Sequence, residues 1–142
     1  MIGSSERDAG RVSVFLAIAL LGIFMIIGLS YDAAGQLNAI QRAQNLAAEA
    51  ARAGGQEIDQ AAAINGEIRL DHVAARRAVD AYRTAAGVTG PPADFPPPGP
   101  DGVETIHVEV FLTYEPVLLS FFGWETVTVK GEATARLLTE EP

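Results

Sequence analysis

The sequence contains no cysteine, which excludes disulfides, thiolate metal sites and cysteine nucleophiles together. Histidine is almost as scarce: His72 and His107 stand far apart, so no paired-histidine metal motif can be formed from neighbours in sequence. Each is expected to be a solvated surface side chain. A phosphate-cradling glycine loop and a nucleophile elbow are also missing. Basic residues are few, 10 Lys and Arg against 18 Asp and Glu, for a formal net charge of -8. An acidic surface repels phosphate backbones, so nucleic acid is not an expected partner. These absences lead to the expectation of a non-enzyme: no catalytic residue, no cofactor, no metal and no small-molecule substrate.

What is present is a long apolar run, Val12 to Leu29, with no charge and only Ser13 as a polar side chain. About 20 such residues, rising 1.5 Å each, are what a helix needs to cross the hydrocarbon core. The run is read as a membrane anchor. A secretory signal peptide is the alternative, but its apolar region is about 7 to 15 residues long and ends at a small-x-small cleavage site. Here only Ala33-Ala34-Gly35 weakly fits that pattern. A buried core helix is disfavoured because no second apolar segment exists to surround it. Arg7 and Arg11 precede the run and the first basic residue after it is Arg42, so the N-terminus is expected in the cytoplasm and the rest outside. Glu6 and Asp8 cancel those two arginines, which puts the net charge of -8 beyond the anchor. Roughly 110 residues remain there, enough for one small domain.

Past Leu29 the helical signal continues, since Ser30 to Ala53 lacks proline, has one glycine at Gly35 and is rich in Ala, Gln, Arg and Glu. Ala33, Leu37, Ile40, Ala47 and Ala51 form a narrow apolar stripe, and Gly54-Gly55 supplies the stop. A helix from about Val12 to Arg52 would be roughly 60 Å long. Asp59 can cap a short turn over Ala61 to Ile64, Asn65-Gly66 is a turn signal, and Glu67 to Leu70 suits a short edge strand. Asp71 reads as the cap of a second helix with Ala75, Val79, Tyr82 and Ala86 inward and Gly87 at its end. Arg76, Arg77, Asp80 and Arg83 are expected on its wet side.

Gly90 to Gly102 holds most of the prolines and can be neither helix nor central strand. It is expected to be a semi-rigid loop or linker, the sharper alternative being a ligand for a proline-recognition domain. Then the period becomes two. Ile106, Val108, Val110, Leu112 and Tyr114 face one side of a first strand; Val127, Val129, Gly131, Ala133, Ala135 and Leu137 face one side of a second. Antiparallel pairing with Glu109 opposite Lys130 sets Val110 on Val129, Ile106 on Ala133, Leu112 on Val127 and His107 on Glu132. The small residues of the second strand leave room for the alanine stripe of the long helix. The apolar connection Val117 to Trp124 is expected to be tucked under the sheet; a contact surface is the alternative.

The expected architecture is α+β: a transmembrane helix continuing as a long exported helix, a second short helix, and a small antiparallel sheet packed on helix. The expected division is a cytoplasmic tail (1–11), the transmembrane helix (12–31), an exported helical segment (32–90), a Pro-rich loop (91–102), a β-hairpin or sheet (103–139) and a tail (140–142). Asp32, at the membrane boundary, is expected to reach interfacial water, with a specific partner contact as the alternative.

Several stretches resemble TadE/TadG-like proteins of the tight-adherence (Flp) pilus and secretion system, in particular the short forms of high-GC Gram-positive bacteria. Arg7-Asp8-Ala9-Gly10-Arg11-Val12-Ser13-Val14 is similar to the family's opening, and Gly28 to Asp32 to its acidic residue at the outer end of the anchor. Gln44 to Gly54 and Val127 to Arg136 resemble its Ala-rich run and closing strand. The resemblance implies a type IV pilin-like plan, residence as a single-pass membrane protein with an extracellular C-terminal part, and partnership with the lipid bilayer and other pilus or secretion components. It also points to Gly10 as the glycine after which prepilin peptidase would cut. The fifth mature residue would then be Phe15 where processed members have glutamate, so cleavage is not expected. Asp32, Phe121, Phe122 and Trp124 are the candidate partner contacts. The function implied is that of a minor pilin or pseudopilin-like assembly component; the alternative is a membrane-anchored extracellular binding module unrelated to pili.

Overall fold

The structure, a computed structural model, describes residues 5–100 and 102–137, so the expected tail at 140–142 and the first residues of the N-terminal tail lie outside it. Three helices come first: α1 (Ser5–Gly55), α2 (Gln60–Ile64) and α3 (His72–Ala86). Two strands follow, β1 (Thr105–Tyr114) and β2 (Val127–Arg136), joined through a single 3-10 turn at Leu119–Phe122. The class is α+β, as the change of hydrophobic period implies.

α1 is one continuous helix of 51 residues, about 75 Å long at 1.5 Å per residue. Its first half carries exposed large apolar side chains from Val12 to Leu29, and it is long and apolar enough to cross a bilayer. The second half lies across the sheet. There the buried residues are Ala39, Ala43, Ala47, Ala50 and Ala51; Ala47 and Ala51 of the expected stripe face inward, but Ala33 and Leu37 are exposed. The displaced stripe has a steric cause. Strand backbone comes so close that only the smallest side chains fit, and Ala39, Ala43 and Ala47 recur every four residues on one face.

The closest approach is at Gly131 of β2, where any Cβ would collide with the backbone of Ala43 and Gln44. The sheet is thereby pressed onto α1 with no side chain between. α3 packs against α1 and contributes Ala75 and Val79 to a core with Ala47, Ala50, Ile106, Val108 and Val110. Both shorter helices begin as their sequences dictate. Asp59 accepts from the amides of Ala61 and Ala62, and Asp71 from those of Val73 and Ala74, all at 2.9–3.2 Å. Gly87 closes α3 in the left-handed region at φ 67°.

The strands are antiparallel, but two residues away from the register set by charge matching: Glu109 faces Glu132, Val110 faces Gly131, Leu112 faces Val129 and Tyr114 faces Val127. A slip of two keeps every side chain on its own face, so alternation alone cannot distinguish the registers. Ladder length does. The observed pairing joins all of Thr105–Tyr114 to all of Val127–Arg136, whereas the charge-matched one would leave both strands unpaired at an end. The Glu109–Glu132 repulsion is relieved by Lys130, whose Nζ lies 2.9 Å from Glu132 and 3.5 Å from Glu109.

Three further expectations are corrected. Glu67 to Leu70 forms no edge strand of the sheet; Leu70 makes a single bridge to Ile58. The start of the proline segment is not a free linker. Thr89 and Asp94 bridge to Phe111 and His107 on the outer edge of β1, Ala93 is buried, and Phe95 stacks on His72 at 4.0 Å. Arg83, placed on the wet side by helical periodicity, is buried at 4% exposure. Between the two bridges lie Gly90-Pro91-Pro92, whose prolines have no N–H to give, so the Glu109 carbonyl beside Gly90 would be orphaned. Arg83 Nη2 donates to it at 2.6 Å.

Candidate functional site

The feature that joins the two halves of the molecule is a carboxylate, Asp32, at the outer end of the apolar run of α1. It is 2% exposed. Its Oδ1 accepts the amide of Val117 at 2.7 Å, and its Oδ2 accepts those of Leu118 and Leu119, each at 2.8 Å. Hydrogen bonds to a charged acceptor contribute about 1.5–3 kcal/mol each. Asp32 therefore does not reach interfacial water; its partner is a loop of its own chain some 85 residues later. A lone charge at the end of an apolar run must be paired or solvated, and that was the signal available from sequence, but it does not say with what.

The loop so held is folded back on α1. An added Cβ on Gly28 would lie 2.7 Å from Leu118, and one on Gly35 would collide with the Tyr114 hydroxyl. Leu118 and Tyr114 thus seat on bare helix backbone, roughly a turn to either side of Asp32. That hydroxyl is held above the usual phenol range, by desolvation first and then by the nearby Asp32 charge and Tyr31. Beyond Leu119 the chain makes its 3-10 turn and presents Phe121, Phe122 and Trp124 outward, Phe121 at 84% exposure. The connection is not tucked under the sheet. Three of its amides go to Asp32, which holds it on α1, and those of Phe121, Gly123 and Trp124 go to carbonyls of Leu118, Ser120 and Leu119. The turn is closed on itself, with its apolar side chains left outside.

Residues 10–57 match the family described as Tad, putative Flp pilus-assembly TadE/G-like. This segment is TadE/G-like. The matched region covers α1 from Gly10 through its end and stops two residues beyond, so it contains Asp32 and the alanine face but neither strand. A search of curated proteins and a search of solved structures return no match. The TadE/G-like segment supports a pilus-related role, and with the apolar helix it suggests a membrane anchor and interaction with other pilus components.

Of the residues singled out from sequence, Gly10 and Phe15 lie within α1, at the end remote from the head, with Phe15 exposed. Asp32 belongs to the junction, and Phe121, Phe122 and Trp124 are brought near it on one loop. The histidines are elsewhere. His107 shares a 3.0 Å contact with the Thr134 hydroxyl rather than facing Glu132. Its ring, Glu109 and Glu132 place potential ligand atoms within 4.8 Å of one another. Lys130 already supplies the positive charge of that cluster: its hydrogen bond to Glu132 and the field of both carboxylates raise the ammonium's pKa, while that hydrogen bond and the ammonium's charge lower the pKa of Glu132. What sequence reasoning missed, the role of Arg83 and the three loop amides bound to Asp32, acts through backbone groups distant in sequence.

Proposed function

We propose that the chain is a structural or assembly component, minor pilin or pseudopilin-like, of a Tad/Flp-type pilus or secretion apparatus. It spans the cell membrane once through the first half of α1, with its N-terminus cytoplasmic and its head extracellular, and it carries out no catalysis. The observation that supports this most is the unbroken α1. A TadE/G-like segment forms a single helix whose apolar half is bare and whose other half packs one alanine-rich face on the head. Such a chain transmits position, because a head clamped at Asp32 and at Gly131 cannot turn independently of its anchor.

Two experiments test the reading. Deletion is expected to abolish or shorten pili, and the tagged chain should co-purify with the pilus machinery; intact pili together with a stable extracellular ligand complex would favour an independent binding module instead. For orientation, the cysteine-free sequence is a clean background. A Gln56→Cys variant should react with an impermeant maleimide in intact cells, and a Ser5→Cys variant only after permeabilisation. The N-terminus should be uncut after Gly10, and a mature chain starting at Arg11 in mass analysis would overturn that part.

A further inference from the structure

We propose that the loop from Val117 to Trp124 is a second membrane contact, seated in the boundary between lipid headgroups and acyl chains of the leaflet through which α1 leaves the bilayer. This rests on the reading of α1 as a membrane-spanning helix, and goes beyond it by giving the head its own lipid-binding surface.

Position is the first argument. Leu118 packs on Gly28, a residue inside the uncharged run Val12–Leu29. When that run spans the hydrocarbon core, its outer end lies at the boundary, and the loop is held at the same level. Composition is the second. Val117 to Trp124 has no charge, with Ser120 its single polar side chain, and Val117, Phe121, Phe122 and Trp124 are all exposed. Trp occupies this boundary, where its apolar body and its indole N–H are both satisfied, and Phe adds apolar area on the acyl-chain side. In water the same cluster would be an association hazard.

Backbone satisfaction is the third argument, because it permits entry into lipid. A loop can enter an apolar layer only if its amides and carbonyls are already paired. Asp32 takes the amides of Val117, Leu118 and Leu119; those of Phe121, Gly123 and Trp124 are paired within the turn; the Ser120 hydroxyl donates to the Val117 carbonyl at 2.6 Å. Glu115 and Glu125 bracket the apolar stretch and confine insertion to its tip. The exposed flank of α1 runs up to the same loop, so the bilayer surface contacted by the helix continues onto the head without a break.

The sequence supplies its own reporter, since Trp124 is the sole tryptophan. The full chain is reconstituted at one copy per nanodisc, in phosphatidylcholine and phosphatidylglycerol with or without acyl-chain bromination, and Trp124 emission is read against aqueous iodide. Expected are a blue-shifted spectrum, loss of emission in brominated lipid and weak quenching by iodide. A Phe121→Ser/Phe122→Ser double variant should shift emission to the red and expose Trp124 to iodide. Carbonate extraction of the same chain from vesicles reads the anchor separately. Retention in the bilayer with no bromine quenching overturns the loop contact while leaving the anchor intact, whether Trp124 is open to iodide or shielded from both quenchers by protein. Release by carbonate overturns both.

Discussion

Replacing Asp32 by alanine removes the acceptor of three amides at once, and the consequence can be worked from the geometry. Val117, Leu118 and Leu119 donate at 2.7–2.8 Å to a carboxylate that is 2% exposed. Leaving a buried donor unpaired costs about 1–3 kcal/mol; water reaches an opened surface loop, so the three together are placed at the low end, about 3 kcal/mol. That is roughly a hundredfold in a local equilibrium. The loss falls on docking of the loop, not on the core, because Ile106, Val108 and Val110 are packed by α1 and α3 elsewhere. Hydrogen exchange of the full chain in micelles should therefore show faster exchange at 117–119 by about that factor, with the amides of β1 unchanged. Asp32→Asn should lie between. Its one remaining oxygen can replace Oδ2, which serves two amides, while its NH2 group then opposes the third. Unchanged protection at 117–119 in Asp32→Ala would refute the clamp, and equal loss throughout β1 would show that the loop is not a separable unit.

Gly131→Ala should separate β2 from α1, because the new methyl collides with the backbone of Ala43 and Gln44; overpacking of this kind costs about 1–3 kcal/mol or more, seen as a lower thermal midpoint in micelles. Arg83→Ala should destabilise by about 1–3 kcal/mol through the orphaned Glu109 carbonyl, and faster exchange of the Thr89 and Phe111 amides would mark the place. Glu132 should titrate below 4.5 by carboxyl NMR, because its hydrogen bond and attraction to Lys130 favour the charged form. The stability it contributes is present above its unfolded pKa and lost as pH falls through the lower folded one; a Lys130→Gln variant should return the midpoint toward the ordinary value.

What could be read from sequence was local or periodic. Asp59, Asp71 and Gly87 set helix ends through groups two to four residues away, and alternation over Ile106 to Tyr114 assigned the strand faces correctly. The errors lie where a distant element decides. The register escaped because a two-residue slip leaves those faces intact. Leu37 looked like a stripe residue because periodicity counts hydrophobicity, while close approach to Gly131 selects for small volume and so for Ala39 and Ala43. Arg83 followed the wet face of α3 until the prolines at 91 and 92 left a strand carbonyl without a donor. Asp32 was visible as a charge in a costly place, but its partner lies beyond two helices and a strand.

The same reasoning bears on why the exposed aromatic loop is held by a charge instead of by apolar packing. An apolar latch between the loop and α1 would bind lipid equally well, so near a bilayer it would have little preference for the closed form. A carboxylate surrounded by three aimed amides has no comparable alternative in the hydrocarbon layer. Nearby lipid raises the cost of opening at Asp32 while leaving the closed form free to present Phe121, Phe122 and Trp124. The strength of the clamp should then depend on its surroundings. Hydrogen exchange at 117–119 should be slower in nanodiscs than in micelles, and Asp32→Ala should narrow that difference. If exchange is equal in the two media, the loop does not meet the bilayer and the clamp serves only to hold the head upright on α1.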